Sequence, residues 1–173
     1  RALTQLGAQD LSSNDVLHLQ GTLKPGHVIL PEFSVTATEN AILAASLTPG
    51  ETRIEMAAAE PHVQAVEKFI CAMGAEVEGI GTHTVTVRGR TQLACAEYRV
   101  PSDYLEAGGL AIAALVTRGK VRLHDTEYDH LTNFLDVLRR MGAEWKYDSA
   151  EKVLFVDGEI SSLNAIEART NIF

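Results

Sequence analysis

Ser34, Thr36 and Glu39 have the types and spacing that could do chemistry, because they lie where a predicted strand ends and a predicted helix begins. The strand is 27–30, which is rich in branched side chains, and the helix runs through the apolar residues 41–47. Thr36 and Glu39 have the spacing of a capping box, in which each side chain bonds a free backbone N–H at the helix start. Such N–H groups and the positive end of the helix dipole also attract anions. The pattern therefore predicts a plain helix cap or an anion site, and the spacing alone leaves both open.

The other residues that could do chemistry form no recognised catalytic or metal-binding pattern. The six histidines show neither a His-x-x-x-His pair nor a Cys–His cluster, so neither a metal site nor a cofactor is predicted. Gly79-Ile80-Gly81 lacks the rest of a phosphate-binding fingerprint and predicts a hairpin turn. Cys71 and Cys95 lie among apolar neighbours, which predicts buried free thiols. Trp145 and Phe155 are expected to pack across the last hairpin.

Composition excludes several partners. The 173 residues are 46% hydrophobic and 22% charged, with a net charge of −8 and no basic stripe, so no nucleic-acid partner is expected. No apolar run reaches about 18 residues, so no membrane partner is expected. Residues 1–7 do not resemble a signal peptide, and the protein is therefore expected to be cytoplasmic.

An internal repeat organises the chain. Leu6-Gly7-Ala8, Met73-Gly74-Ala75 and Met141-Gly142-Ala143 share a Gly-Ala pair, and their glycines are 67 and 68 residues apart. Such a period indicates one structural unit used several times. Asp103 and Glu106 then repeat the capping spacing of Thr36 and Glu39, 67 residues later.

The repeat predicts an α/β (α+β) fold of βαβαββ units. In the first complete unit the strands and helices alternate as 27–30, 36–47, 52–56, 61–73, 76–79 and 84–88. In the second they are 98–100, 104–116, 120–124, 128–141, 144–147 and 153–156. The first helix of each unit is apolar on all sides and is expected to be buried all round. In the helix 61–73, Val63, Val66, Phe69, Ile70 and Met73 form the apolar stripe, while Glu67 is expected to face water.

Three regions follow from this division. Residues 1–97 hold the end of one unit, with strands at 8–11 and 15–19, and one complete unit. Residues 98–103 are expected to be a hinge. Residues 104–173 hold the second complete unit and the start of the next, with a strand at 164–169. We expect the chain to be a piece of a longer repeat protein.

Several words within this repeat resemble those of the enolpyruvyl transferases. The resemblance covers essentially the whole chain and is closer to the branch that acts on UDP-N-acetylglucosamine than to 5-enolpyruvylshikimate-3-phosphate synthase. The matching words are Ser34-Val35-Thr36-Ala37-Thr38-Glu39-Asn40, Ala58-Ala59-Glu60-Pro61, Met73-Gly74-Ala75, Gly79-Ile80-Gly81-Thr82 and Val100-Pro101-Ser102-Asp103-Tyr104-Leu105-Glu106-Ala107-Gly108.

The resemblance implies a two-globe enzyme with helices packed inside against outer sheets and substrates bound between the globes. Members of the branch that this chain resembles more closely transfer the enolpyruvyl group of phosphoenolpyruvate to the 3-hydroxyl of UDP-N-acetylglucosamine, the first committed step of peptidoglycan synthesis. It implies that Phe33, Ser34, Val35 and Thr36 bind the nucleotide sugar, and that Glu60 and Asp103 support the site or the hinge.

The resemblance assigns no catalytic residue to this chain, because the family's acid cysteine, its phosphoenolpyruvate-binding arginines and its basic aspartate have no counterpart among residues 1–173. The chain alone is therefore expected to be inactive. Two alternatives remain: an enzyme like 5-enolpyruvylshikimate-3-phosphate synthase, and a non-catalytic repeat module that self-associates through an exposed face.

Overall fold

The computed structural model describes residues 1–168, and the chain divides into two compact units, Arg1–Val100 and Pro101 onwards. Each unit combines helices with one main sheet. The predicted mixed αβ fold is confirmed. That residues 98–103 act as a hinge stays a prediction.

The first unit has the predicted βαβαββ order after a short entry segment. The entry consists of helix α1 (Ala2–Gln5) and the antiparallel pair β1 (Gln9–Asp10) and β2 (Leu19–Gln20), shorter than the strands expected at 8–11 and 15–19. The main elements are β3 (His27–Ile29), α2 (Val35–Ser46), β4 (Gly50–Glu55), α3 (Pro61–Ala72), β5 (Glu76–Glu78) and β6 (Thr84–Gly89). Their sheet has the order β3-β4-β6-β5, with a parallel β3–β4 pair and antiparallel pairs elsewhere.

The second unit keeps all of this order except the first strand. It contains α4 (Tyr104–Val116), β7 (Lys120–Leu123), α5 (Tyr128–Met141), β8 (Glu144–Asp148) and β9 (Val153–Asp157), in an antiparallel sheet of order β7-β9-β8. The prediction of a strand at 98–100 is wrong. The prediction at 164–169 is also wrong for residues 164–168, while Arg169 lies outside the described residues.

A missing ladder explains the missing first strand of the second unit. In the first unit, the Arg53 amide donates to Gly26 O and the Leu30 amide donates to Glu55 O, which extends the β3–β4 pairing at both ends. In the described part of the second unit β7 pairs with β9, and residues 98–100 have no strand pairing. Just beyond them, the Ser102 side chain donates to Asp125 O. A segment that lacks ladder hydrogen bonds is not a strand, whatever its propensity.

The helix starts differ from the predicted capping box. Ser34, with extended backbone angles (φ −96°, ψ 118°), caps α2 and accepts from the Ala37 amide at 3.3 Å. The predicted cap at Thr36 and Glu39 is therefore wrong, because helical geometry already begins at Val35. Asp103 does cap α4, and its carboxylate accepts from the amides of Leu105 and Glu106.

Each unit has its own hydrophobic core between the helices and the sheet. The core includes Leu6, Leu30, Ile42, Ile54, Ile70 and Val85 in the first unit and Leu115, Leu123, Leu131, Leu135, Leu138 and Leu154 in the second. Among residues 1–168 no helix has the length and apolar character needed to cross a bilayer.

The first helix of each unit is not buried all round, contrary to prediction. Leu43 on α2 is 49% exposed and Val116 on α4 is 69% exposed. The other large exposed apolar side chains here are Leu105, Leu110 and Ile112 on α4 and Leu47, the residue that directly follows α2. Each helix packs only one face on its own sheet, so an apolar sequence all round leaves an apolar face uncovered within the unit.

Two further predictions are corrected by the side chains. Cys71 is only partly buried and Cys95 is exposed, because the residues around Cys95 lie outside any helix or strand. Trp145 pairs with Val156 in the hairpin register, so Phe155, one residue away, points to the opposite face of the sheet. Arginine side chains cover both rings instead, with Arg139 at 4.5 Å from the Trp145 ring centre and Arg122 at 5.8 Å from that of Phe155.

Candidate functional site

The start of α2 presents backbone donors that its own helix does not use. The Ser34 amide donates to Glu32 O at 2.8 Å, which folds the chain into the helix start, and Ser34 Oγ takes the Ala37 amide. The first amides of a helix have no intrahelical acceptor, so those of Val35 and Thr36 are available to a ligand. Val35 is half-buried and Thr36 is exposed. Residues 33–36 thus form one turn with a hydroxyl group and two amides, those of Val35 and Thr36, that have no acceptor within residues 1–168.

Buried Thr38 fixes this turn to the segment that follows β4. Its Oγ1 donates to Ser34 O at 2.7 Å and accepts from the Ala58 amide at 2.9 Å. The hydroxyl is fully buried with both partners satisfied. Because a buried polar group is costly to leave unpaired, the pair of bonds holds the start of α2 against residues 57–59.

A β-bulge delivers residues 57–59 to that position. The regular β4–β6 ladder ends at Glu55 and Thr84, and the Ala57 amide then donates to His83 O at 3.1 Å. Met56 is therefore an extra residue on β4, and its backbone is left-handed with φ 59°. The bulge turns the chain so that Ala58 reaches Thr38.

His83 joins the same cluster from the hairpin between β5 and β6. Its Nδ1 lies 2.9 Å from Ala57 O, so Nδ1 carries the proton and donates to the carbonyl. Its ring centre is 4.5 Å from that of Phe33, at an interplanar angle of 59°. Three segments that are distant in sequence thus meet at the turn that precedes α2.

Glu60 lies directly after residues 57–59 and precedes Pro61, the first residue of α3. Its side chain makes no capping bond, and within residues 1–168 its buried Oε2 has no hydrogen-bond partner. Asp103, the other residue predicted to support the site or hinge, belongs to the second unit, where it is exposed and caps α4.

Glu67 is buried, and the prediction that it faces water is wrong. It is 1% exposed, and neither carboxylate oxygen has a partner of ordinary hydrogen-bond geometry among the described residues. Burial raises the pKa of the Glu67 carboxyl to about 7, against smaller opposing effects of the Gly81 backbone amide and the Lys68 charge. Glu60, Gln64 and Glu67 are spaced by four and three residues and share one helix face. A polar stripe of this kind predicts exposure, so no local sequence signal reveals that Glu67 is buried.

The arrangement suits anion binding. Two free amides, a hydroxyl and a helix N-terminus match the oxygens of a phosphate or diphosphate. Within residues 1–168 there is no cluster of three or more His, Cys, Asp or Glu side chains that could hold a metal ion. Sequence analysis missed Thr38 and His83, because their partners are far away in the chain.

The sequence matches one family over nearly its whole length. Residues 1–172 match EPSP synthase (3-phosphoshikimate 1-carboxyvinyltransferase). The chain belongs to this family of carboxyvinyltransferases. The fold agrees with that assignment, because the chain resembles the enolpyruvyl transferase NikO from Streptomyces tendae with a TM-score of 0.78 at 18% identity, over 90% of this chain and 40% of the other. It resembles the EPSP synthase of Acinetobacter baumannii with a TM-score of 0.70 at 23% identity, over 97% and 40% of the two chains.

Curated relatives carry a more particular name. The chain is 42% identical to the UDP-N-acetylglucosamine 1-carboxyvinyltransferase of Paramagnetospirillum magneticum over 144 residues, which is 82% of this chain and 33% of the relative. It is 38% identical to the enzyme of that name from Treponema denticola over 147 residues, or 85% and 34% of the two. The chain thus spans about a third of the length of these relatives.

Proposed function

We propose that this chain is part of a UDP-N-acetylglucosamine 1-carboxyvinyltransferase and contributes one side of the nucleotide-sugar site. Relatives of that name at 38–43% identity support the assignment. The structures of EPSP synthase are only 23% identical and support the fold alone. The substrates of the whole protein are then UDP-N-acetylglucosamine and phosphoenolpyruvate, and its place is the first committed step of peptidoglycan synthesis in the bacterial cytoplasm.

One observation carries the proposal to particular residues. The turn 33–36 places Ser34 Oγ and the free amides of Val35 and Thr36 on one helix start. A diphosphate has several anionic oxygens, and each backbone amide can donate to one of them without adding a mobile side chain. Phe33 is the first residue of this turn and places an apolar ring, packed on His83, next to Ser34 in the chain.

Two residues distinguish this turn from the pattern that the resemblance implies. Glu32 is exposed beside the turn and places a negative charge near the proposed diphosphate. In the enolpyruvyl transferase word that Ser34-Val35-Thr36-Ala37-Thr38 resembles, glycine stands at the position of Thr36. Its helical backbone does not require glycine, but its side chain limits how closely a ligand can approach. We therefore expect binding weakened by Glu32 and strengthened in Glu32→Lys.

The proposed reaction divides its work between this chain and the rest of the protein. The sugar 3-hydroxyl gives up its proton to a base and its oxygen adds to C2 of phosphoenolpyruvate, while C3 gains a proton from an acid. Loss of phosphate from C2 and of one proton from C3 then restores the double bond. This chemistry needs an acid, a base and cations that hold phosphate and carboxylate. Residues 33–36 hold and orient the nucleotide sugar, and we propose that the chain alone does not catalyse.

Calorimetry on the full-length protein tests the binding role. Ser34→Ala with Val35→Pro removes one hydroxyl and one free amide, while proline at the first helical position suits the helix. We expect the affinity for UDP-N-acetylglucosamine to fall at least ten-fold, roughly, as for the loss of two hydrogen bonds to a charged ligand. The matched control is Glu127→Ala with Tyr128→Pro, the same two positions of α5, which is expected to leave the affinity unchanged.

The outcomes separate the candidate functions. Unchanged affinity in the Ser34 and Val35 variant contradicts the role of the turn. Binding of shikimate 3-phosphate instead of the nucleotide sugar would establish the EPSP synthase alternative. If neither ligand binds and light scattering shows concentration-dependent association, the chain belongs to an assembly module in which the exposed faces of α2 and α4 are the contacts.

A further inference from the structure

His83 is held in one position by two hydrogen bonds to Ala57, one through its backbone and one through its side chain. Its backbone carbonyl accepts from the Ala57 amide at 3.1 Å, and its Nδ1 donates to Ala57 O at 2.9 Å. The preceding turn is closed by the Thr82 amide and hydroxyl, which both donate to Gly79 O. The imidazole therefore cannot rotate away without breaking a bond to a buried residue.

The held ring lies against Phe33, the first residue of the proposed diphosphate turn. The ring centres are 4.5 Å apart and the planes are tilted by 59°, an arrangement within the favourable range for aromatic pairs. Phe33 is half-buried, so this contact restricts a side chain that would otherwise be free to move on the surface.

The turn 33–36 is thus restrained from two sides. His83 restrains it through the Phe33 ring, and Thr38 restrains it through the Ser34 carbonyl. The two restraints end on adjacent residues, because His83 bonds to Ala57 and Thr38 bonds to Ala58. Together they fix the direction of the free amides of Val35 and Thr36.

The second unit uses the equivalent carbonyl differently. Thr126 is the counterpart of Ala57, because it directly follows left-handed Asp125 as Ala57 directly follows left-handed Met56. The Thr126 carbonyl accepts a hydrogen bond from Tyr147 OH at 2.6 Å. The Tyr147 ring packs on Tyr128 in the first turn of α5, with ring centres 5.2 Å apart. The donor at this carbonyl therefore supports the start of α5 in the second unit, whereas in the first unit it supports the residue before α2.

We propose that His83 is a positioning residue for the nucleoside diphosphate of the substrate. The inference rests on the proposed function of residues 33–36. His83 acts through Phe33: it holds the turn in the conformation in which the Val35 and Thr36 amides point at the diphosphate. A fixed set of donors binds an anion more tightly than a mobile set, because the ordering has already occurred before binding.

Two substitutions separate the hydrogen bond from the ring contact. His83→Asn keeps a donor that can reach Ala57 O but removes the ring from Phe33. His83→Phe keeps a ring against Phe33 but removes the donor. For each variant of the full-length protein we expect a roughly three- to ten-fold higher Kd for UDP-N-acetylglucosamine, the range that corresponds to one ordinary contact or hydrogen bond.

A double-mutant cycle tests whether His83 acts through Phe33. If it does, Phe33→Leu with His83→Asn weakens binding no more than Phe33→Leu alone. The matched control is Tyr147→Phe, which removes the donor to the equivalent carbonyl of the second unit. It is expected to lower the melting temperature while the Kd stays as in the unsubstituted protein.

The outcomes distinguish this inference from the function on which it rests. Failure of the unsubstituted protein to bind UDP-N-acetylglucosamine overturns the proposed function and this inference with it. Normal binding by the unsubstituted protein together with unchanged Kd in both His83 variants overturns the inference alone. Additive effects of Phe33→Leu and His83→Asn also overturn it, because they show that the two side chains act separately.

Discussion

The two units repeat one framework at a distance of 69 residues, and they differ in what surrounds it. Ser34 caps the first helix of the first unit, and Asp103 caps that of the second. Met56 and Asp125, both left-handed, come after the strand that follows each of these helices. Gly89 is the last residue of β6, and Gly158 directly follows β9. The first unit adds a parallel strand, a buried carboxyl and an imidazole against the helix start. Within the described residues of the second unit, the positions equivalent to Glu67 and His83 are Asp136, which is exposed, and Lys152. Its imidazole at the helix start is instead His130, 6.2 Å from Tyr104, and its buried carboxylate is Asp157. Framework residues are therefore expected to act on stability in both units, and ligand binding to depend on the first.

Substitution of Gly89 or Gly158 by alanine is expected to give the largest loss of stability, and the loss should be equal in the two units. A Cβ at Gly89 would lie 2.0 Å from Ala45 O, and one at Gly158 would lie 2.3 Å from Ala114 O, so backbone has to move in both. Alanine at either position is expected to destabilise its own unit by roughly 3 kcal/mol or more.

Amide hydrogen exchange of the full-length protein would locate that loss, with faster exchange in the altered unit. Gly109→Ala on exposed α4 is the control, because nothing lies within 4 Å of its Cβ. It is expected to stabilise its helix by about 1 kcal/mol. If Gly89→Ala and Gly158→Ala differ strongly in effect, the two units do not share this framework contact.

Glu67 should give a pH dependence to the first unit. The pKa of this carboxyl is about 7 in the folded protein, against its ordinary value of 4.5 in the unfolded chain, so the folded protein holds the proton more tightly. Its contribution to stability is fully present below pH 4.5, is lost as the pH rises from 4.5 to 7, and stays lost above that. The loss is about 3 kcal/mol.

Unfolding of the full-length protein at pH 5 and pH 8 measures this difference, and Glu67→Gln is expected to reduce it. The equivalent position of the second unit is exposed Asp136, where Asp136→Asn is expected to leave the profile as in the unsubstituted protein. An identical pH profile before and after Glu67→Gln would mean that the buried carboxyl does not govern the stability of the first unit.

The two helix caps should differ by a smaller amount. Ser34 accepts one amide and Asp103 accepts two, with an ionised group at the positive helix end. Ser34→Ala is expected to destabilise α2 by about 1 kcal/mol, and Asp103→Ala to destabilise α4 by about 1–2 kcal/mol. Ser34→Thr and Asp103→Asn are the conservative controls, and a larger loss from Ser34→Ala than from Asp103→Ala would contradict the account.

The left-handed residues should show the smallest difference. Met56 has φ 59° and Asp125 has φ 62°, and aspartate tolerates this conformation better than methionine. Met56→Asn is expected to stabilise the first unit by roughly 0.5–1 kcal/mol, whereas Asp125→Asn should change the second by less than about 0.5 kcal/mol. Chemical unfolding of the unsubstituted protein and the two variants measures this, and a loss of stability in Met56→Asn would show that the Met56 side chain stabilises the bulge.

The order of elements could be predicted from the sequence, because the period of the repeat and the hydrophobic spacing are local signals. The position of the α2 cap could not. Both Thr36, with Glu39 three residues later, and Ser34 could be the N-cap of α2 from their residue types. The extended backbone of Ser34 shows that Ser34 is the N-cap. The strand expected at 98–100 failed because a strand depends on a partner edge as well as on its own residues.

The candidate site was predicted in part. The resemblance pointed to residues 33–36, which the fold presents as a single turn with free donors. Thr38 and His83 were missed because their bonds go to Ala58 and Ala57, far along the chain. Glu67 is expected to face water because it lies off the apolar stripe of α3, and the hairpin turn that covers it comes from a later segment.

A crystal structure of the full-length protein with UDP-N-acetylglucosamine tests the central claim most directly. The account predicts diphosphate oxygens within about 3 Å of the Val35 or Thr36 amide and of Ser34 Oγ, with the His83 ring still against Phe33. A nucleotide sugar bound with its diphosphate away from residues 33–36 would contradict it.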